Sequence, residues 1–164
     1  MLDDLLAPDL KILFCGSAVG KVSAVRRAYY AGPGNKFWPT LYRIGLTPRQ
    51  LAPGEYRDLL QFGLGLTDVE KRQSGSDSDI DFRRSDPAGL TRKVLDYRPR
   101  YLAFNGKKAA QVYLRRHDVE YGLQSELVGR ARLFVAPSTS GAANGFWNEE
   151  LWLDLAELVK EAAI

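Results

Sequence analysis

Short apolar runs, separated by polar and helical segments, dominate the pattern of this chain. They cover Lys11 to Cys15, Tyr101 to Asn105 and Arg132 to Ala136. Their length and continuous apolar character are typical of strands buried on both faces of a parallel sheet. Because helical patterns lie between them, the sequence predicts a three-layer α/β/α fold with a central, mainly parallel sheet.

Helix start signals mark the segments between these strands. Cap residues, or prolines suited to a first turn, predict helices that begin at Asn35, Thr47, Pro53, Asp86, Lys107 and Asn148. The stretch from Lys71 to Asp86 is polar and charged, and it is predicted to be a connection on the surface.

Two of the predicted strands end abruptly in loops of small residues. The first breaks into Cys15-Gly16-Ser17-Ala18-Val19-Gly20, and the last breaks into Ala136-Pro137-Ser138-Thr139-Ser140-Gly141. Such loops let the backbone come very close to a ligand, since no large side chain intervenes. The carboxyl ends of parallel strands meet at one edge, so the sequence predicts a functional cleft there.

Length and composition limit the possible classes of protein. The 164 residues are expected to form a single domain, 1–164, with its own core. No apolar run approaches the roughly 20 residues of a membrane span, and the start, Met1-Leu2-Asp3-Asp4, is acidic where a secretory signal is basic. The single cysteine, Cys15, fits a reducing cytoplasm and is expected in the core. One histidine, His117, offers no cluster for a metal, so neither metal nor cofactor is expected.

Charge and glycine spacing restrict the ligand. A net charge of +3 and a pI near 9.0 permit nucleic-acid binding without requiring it. Gly16 to Lys21 has three residues between its glycines and is followed by Val22, whereas a phosphate-binding P-loop needs four residues and a hydroxyl. An ATPase is therefore not predicted.

Aromatic and basic residues alternate after the first predicted strand, in Arg26-Arg27-Ala28-Tyr29-Tyr30 and in Pro33-Gly34-Asn35-Lys36-Phe37-Trp38. This mixture suits nucleic acids, because guanidinium groups contact phosphates while rings stack on bases. Phe37 and Trp38 are expected in the core. Tyr30 is the candidate to face the cleft.

Several motifs occur together in a known order: LAPDLKILFCGSAVG, YAGPGNKFW, GLGLTDVEKR, YRPRYLAFNGK, YGLQ and VAPSTSGAANGF. In these motifs the chain resembles, almost end to end, the mismatch-specific uracil-DNA glycosylase and thymine-DNA glycosylase family. The resemblance implies a uracil-DNA glycosylase-like fold and a DNA-repair enzyme without cofactor. Such an enzyme flips uracil, or another deaminated base, out of DNA and hydrolyses its bond to deoxyribose. A monomer in the bacterial cytoplasm, working on nucleoid DNA, is expected.

The resemblance also assigns residues to the base pocket. It implies that Gly16, Ala18, Tyr30 and Asp68 line this pocket, with Tyr30 stacked on the flipped base. The family normally has an asparagine at the position of Ala18, where its amide orients the attacking water. Alanine has no polar group, so Asp68, Ser17 and Asn105 are the candidates to replace it, and Asp68 is favoured because a carboxylate can activate water and stabilise a cationic sugar.

DNA contacts are implied on both sides of the pocket. The resemblance assigns them to Gly20, Lys21, Asn35, Ser138, Thr139, Ser140, Gly141, Ala142, Ala143 and Asn144. The segment from Ser140 to Asn144 matches the loop that wedges into the gap left by the flipped base, where the family usually has a larger residue than Ala142 or Ala143. Asn144 is an alternative wedge.

Three functions remain open at this point. The first is a monofunctional glycosylase whose catalytic group is not the usual asparagine. The second is a protein that binds uracil or another lesion without cutting, with Ala18 as the mark of lost chemistry. The third is a binder of free bases or nucleosides.

Overall fold

The computed structural model describes residues 2–162 of the predicted domain 1–164. A five-stranded sheet runs through it in the order β2-β1-β3-β5-β4. Its strands are β1 (Ile12–Gly16), β2 (Leu64–Asp68), β3 (Tyr101–Asn105), β4 (Gly122–Val128) and β5 (Ala131–Ala136). Paired strands are parallel except for β4, which is antiparallel to β5. The mainly parallel sheet is confirmed.

Helices connect the strands. In the described part of the chain the α-helices are α1 (Lys21–Arg26), α2 (Phe37–Arg43), α3 (Pro87–Tyr97), α4 (Lys107–Leu114) and α5 (Glu149–Ala162). Stretches of 3-10 helix cover Pro53–Phe62, Asp77–Asp79, Phe82–Arg84 and Gly141–Phe146. None of the described helices combines the length and the apolar character needed to cross a membrane.

Each face of the sheet has its own core. Phe14 of β1 packs against Phe37 of α2 and Trp152 of α5, so these helices cover one face. Leu13 and Cys15 point to the other face and share a core with α3 and α4, through Leu90, Val94, Ala109 and Ala110. Because the side chains of a strand alternate between faces, this is the predicted three-layer arrangement.

Some predicted helix starts are confirmed and one is wrong. Asp86 accepts a hydrogen bond of 2.9 Å from the Gly89 N–H and caps α3 as predicted. Asn35 accepts a bond from the Phe37 N–H, although α2 begins one residue later than expected. No helix begins at Thr47, because its hydroxyl donates to the Arg49 carbonyl in a turn.

The apolar runs do not predict β2 or β4. β2 contains Gly65 and ends in polar residues, which weakens the strand pattern. Its glycine is required, since a Cβ at Gly65 would stand 2.5 Å from the Leu5 carbonyl oxygen. β4 is an edge strand whose side chains alternate between exposed and half-buried positions, so it shows no continuous apolar run.

The strand order places a crevice at the carboxyl edge of the sheet. The connection after β1 runs to β2 on one side, whereas the connection after β3 runs towards β4 and β5 on the other side. Ligands of open sheets bind where the direction reverses in this way. Gly16 is paired with Asp68, and Asn105 with Ala136. The residues that end these four strands are therefore neighbours at one edge.

Candidate functional site

Asp68, Gly16 and Tyr30 meet at the ends of β1 and β2. A Cβ on Gly16 would stand 2.7 Å from the Asp68 Oδ1 and 3.3 Å from the Tyr30 hydroxyl oxygen. The missing side chain of Gly16 thus allows both groups to approach the backbone of β1. The structure brings together three of the residues predicted to bind a base.

Tyr30 has features that are common at functional sites. Its φ of 53° lies in the left-handed region that residues other than glycine seldom occupy. Its ring stacks on Phe37 with centroids 4.1 Å apart, and its buried hydroxyl has no hydrogen-bond partner among the described residues. Burial and the nearby Asp68 raise the pKa of Tyr30 well above its usual value, whereas the Asn105 amide lowers it. The hydroxyl therefore stays neutral and can donate to a ligand.

Asp68 is the ionisable group at the centre of this site. Its side chain is only 4% exposed, and burial raises its pKa from 3.8 to about 6. Lys71 lowers the pKa in opposition, with its Nζ 3.3 Å from the Asp68 Oδ2. A carboxylate with such a pKa is mostly ionised at neutral pH and still accepts a proton readily, as a general base must.

A cavity of about 210 Å³ adjoins Asp68. Its lining includes Lys71, Lys93, Arg84 and Asp86. The Asp68 Oδ2 faces Lys71, whereas its Oδ1 faces Gly16 and Tyr30. One carboxylate oxygen of Asp68 thus lies beside the Lys71 ammonium, and the other lies beside Gly16, in the predicted base pocket.

Ser17 and Ala18 follow Gly16 and are covered by the polar stretch that begins at Lys71. The Ser17 hydroxyl donates a 2.6 Å hydrogen bond to the Asp77 carboxylate. The Glu70 N–H donates to the Ser17 carbonyl at 2.8 Å, so the two loops are held together through backbone as well. Ala18 is half-buried and brings only a methyl group. The Ser17 hydroxyl is therefore bonded to a carboxylate, that of Asp77, which lies far outside the sequence motif that contains Ser17.

Asn105 and Thr139 form a closed pair at the ends of β3 and β5. The Asn105 amide donates to the Thr139 hydroxyl at 2.9 Å and accepts from the Thr139 N–H at 3.0 Å. Both groups are buried. Ser138 lies beside them, accepts a bond from the Ser140 N–H and packs over Gly106. The arrangement fixes the start of the loop after β5.

Most of the predicted DNA-contact residues lie in two loops that touch each other, and these loops are called the rim here. The Lys36 N–H donates to the Thr139 carbonyl at 2.9 Å, and the Lys36 Nζ donates to the Asn144 side chain. Gly141 packs on the backbone of Pro33 and Gly34. The loop before α2, which contains Asn35, thus touches the loop that contains Ser140, Ala142 and Ala143. Gly20 and Lys21 are exposed at the start of α1.

Two further site residues were not singled out from the sequence. Lys71 is three positions from Asp68, and this pairing of opposite charges was a usable signal. Asp77 lies 60 positions from Ser17, and nothing local predicts their contact. Within residues 2–162 no group of His, Cys, Asp and Glu side chains is arranged to hold a metal ion.

Comparison with known proteins relates the sequence and the fold of this chain to one superfamily. The family model of the Uracil DNA glycosylase superfamily matches residues 4–156. The fold is also similar to a solution NMR structure from Methanosarcina acetivorans, described as that of a candidate uracil DNA glycosylase. The TM-score is 0.64 at 25% sequence identity, and the match covers 97% of this chain and 96% of the other.

Proposed function

The chain belongs to the uracil-DNA glycosylase superfamily, and from this premise we propose that it hydrolyses the bond between deoxyribose and uracil, or a related deaminated base, in DNA. The observation that carries the proposal is the convergence of the buried Asp68 carboxylate and the Tyr30 hydroxyl on Gly16. The first group can move a proton and the second belongs to a ring on which a base can stack. The motifs quoted above resemble those of the mismatch-specific and thymine-DNA glycosylase group, and we propose that the chain belongs near that group.

The rim residues hold the DNA while one nucleotide is turned out of the duplex. A glycosylase must extrude its base, since the sugar–base bond is inaccessible within the stack. The Lys36 ammonium, the exposed Lys21 and the loop from Ser138 to Asn144 are suited to phosphates. Ala142 and Ala143 form a small wedge, so we expect the opposite strand to be held weakly.

Asp68 supplies the group that the alanine at position 18 lacks. The ionised carboxylate takes a proton from water as the water oxygen bonds to the sugar C1′ and the base leaves with the electron pair of the broken C–N bond. The proton on Asp68 can then pass to the departing uracil anion. The same negative charge stabilises the cationic sugar. The hydrogen bond between Ser17 and Asp77 positions the loop after β1. The bonds between Asn105 and Thr139 position the loop after β5.

The proposal is tested by single-turnover release of uracil from an oligonucleotide that contains one uracil. We expect Asp68→Asn to slow release by about 10²–10⁴-fold, the usual contribution of a general base, while affinity for the uracil-containing DNA is retained. Asp58→Asn is the matched control, since Asp58 is an exposed partner of Arg49 outside the site. Release by Asp68→Asn at the wild-type rate would show that the carboxylate has no catalytic role.

A catalytically weak lesion-binding protein is the second candidate. Ala18 provides no group to orient water, and the Ser17 hydroxyl is bound to Asp77. This candidate requires preferential binding of uracil-containing DNA with no abasic product after long incubation. Ala18→Asn, which returns an amide to this position, would then create activity.

We also propose that the protein acts on DNA as a monomer in the bacterial cytoplasm. The mild net charge of +3 suits contact with a few phosphates rather than wrapping of long DNA. Sedimentation of the protein with and without a short uracil-containing duplex measures the stoichiometry. A 1:1 complex is expected, and a complex of two protein chains would contradict this part of the proposal.

A further inference from the structure

We propose that Lys71, held between Asp4 and Asp68, is a positioning residue that aims the Asp68 carboxylate at the reaction. The inference rests on the proposed function and extends it to a residue that contacts no base. It is drawn from a partly buried set of charges that joins the N-terminal segment, β2 and α3. Lys71 meets the Asp68 Oδ2, whereas Oδ1 faces Gly16.

The Lys71 ammonium has three donors and meets three acceptors. Its Nζ lies 2.9 Å from the Asp4 Oδ1, 3.3 Å from the Asp68 Oδ2 and 3.2 Å from the Tyr29 hydroxyl oxygen. The Tyr29 hydroxyl in turn donates to the Asp3 carbonyl at 3.0 Å, so its proton is not available to Asp68. Lys71 therefore provides the hydrogen bond that holds the Asp68 Oδ2, and Oδ1 is left for the reaction.

Asp4 is itself fixed in place. Its Oδ1 accepts from the Thr67 hydroxyl at 2.8 Å, and its Oδ2 lies 2.5 Å from the Lys93 Nζ. The next residue, Leu5, exchanges two backbone hydrogen bonds with Leu66 of β2, at 2.8 and 3.0 Å. The Lys71 ammonium is thus held by an anion that the sheet itself positions.

The charges around Asp68 oppose one another. Burial raises its pKa, Lys71 and Lys93 lower it and Asp4 raises it. The other titratable groups near the carboxylate are Tyr29, Tyr30 and Cys15, and the adjoining cavity adds Glu70, Arg72, Arg84 and Asp86. Since Lys71 is the strongest of the groups that lower the pKa, its removal moves the pKa upward from about 6.

The test compares Lys71→Met with Lys93→Met and Lys71→Arg. Lys93 belongs to the same set of charges and is bonded to Asp4, with no hydrogen bond to Asp68, so it is a matched control. Single-turnover uracil release is measured across the range from about pH 5 to 9, and the Asp68 carboxyl is titrated by NMR in the free protein. Should Lys71→Met not fold, Lys71→Gln keeps a donor without the charge.

In the wild type, the pH midpoint of uracil release and the pH midpoint of the Asp68 NMR titration are both expected near 6, from the Asp68 pKa. Lys71→Met is expected to raise both midpoints by about one unit or more, which lowers release roughly fivefold or more at pH 6. Lys93→Met is expected to give less than half of that shift, and Lys71→Arg is expected to restore the wild-type midpoint. An unchanged or lower midpoint in Lys71→Met overturns the inference.

The two readouts separate this inference from the proposed function. If the wild type releases no uracil, the proposed catalysis fails, while the NMR titration still shows whether Lys71 controls Asp68. If the wild type is active and only the Lys71→Met midpoint fails to move, catalysis stands and the role of Lys71 is wrong.

Discussion

The two pairs of strands that end at the site differ in charge. Asp68 ends β2 beside Gly16 of β1, and its carboxylate is buried with an ammonium from Lys71. Asn105 ends β3 beside β5, and its amide is bonded to Thr139 at both its donor and its acceptor. One pair thus carries a titratable group whose second oxygen faces Gly16, and the other carries two neutral side chains that are bonded to each other.

The two pairs of strands therefore have different roles: the ends of β1 and β2 carry the chemistry, and the ends of β3 and β5 support the structure. Burying a charge lowers the free energy of unfolding unless the charge is well paired. The buried Asp68 carboxylate therefore reduces the stability of the protein. A neutral pair with satisfied hydrogen bonds makes a rigid anchor instead. We therefore expect changes at β1 and β2 to affect rate and pH dependence, and changes at β3 and β5 to affect stability.

Among changes that leave the Asp68 carboxylate in place, the largest effect is expected from Gly16→Ala. The new Cβ would stand 2.7 Å from the Asp68 Oδ1, so the carboxylate has to move. A shift of this size at a reacting group costs about 10²-fold in uracil release. Gly54→Ala is the control, because a Cβ there meets nothing within 4 Å. Equal rates for the two variants would place the reaction elsewhere.

A smaller effect, on stability, is expected at the neutral pair. Asn105→Ala leaves the buried Thr139 N–H and hydroxyl without their partner, which costs about 2 kcal/mol of unfolding free energy. The measurement is a double-mutant cycle with Thr139→Ala in chemical denaturation. A coupling energy near zero would show that the two residues do not support each other.

The charged pair is expected to make stability depend on pH. Asp68 loses its proton at about pH 6 in the folded chain, against an ordinary 3.8, so between these values the folded state binds more protons than the unfolded state. Stability therefore falls as pH rises through this window. Between about pH 5 and about pH 7.5 the wild type should lose about 1.4 kcal/mol relative to Asp68→Asn. Denaturation of both proteins at the two pH values checks the sign, and a parallel pH dependence contradicts it.

The smallest effect is expected at the rim. Ala142→Leu enlarges the wedge in the loop that packs on Gly34, and this should tighten binding of uracil-containing duplex by roughly 2–10-fold. Affinity for single-stranded DNA, which has no gap to fill, is the comparison. A gain of the same size on both kinds of DNA would contradict the role of this loop as a wedge.

Much of the fold follows from local sequence. β1, β3 and β5 are continuous apolar runs, and Asp86 and Asn148 mark helix starts that the structure contains. β2 could not be predicted in this way, because the reason for Gly65 is contact with Leu5, 60 positions away. Thr47-Pro48 has the composition of a helix start, but the Thr47 hydroxyl bonds to a turn carbonyl instead.

The site was predictable only in part. Gly16, Tyr30 and Asp68 belong to recognisable motifs, and the fold brings them together at the ends of β1 and β2. The partners that set their chemistry come from distant loops: Asp77 reaches Ser17, and Asp4 reaches Lys71. Such contacts depend on how the loops fold over the edge of the sheet, and no spacing in the sequence encodes them.

The pairing of Leu5 with Leu66 has a practical consequence. β2 is an outer strand of the sheet, and an unprotected outer strand invites pairing with another molecule and aggregation. The strip of chain that shields it also carries Asp4 to Lys71. An affinity tag or fusion partner that disturbs this strip would therefore alter solubility and acid–base behaviour together, so preparations that differ only in their tags provide an independent check on both.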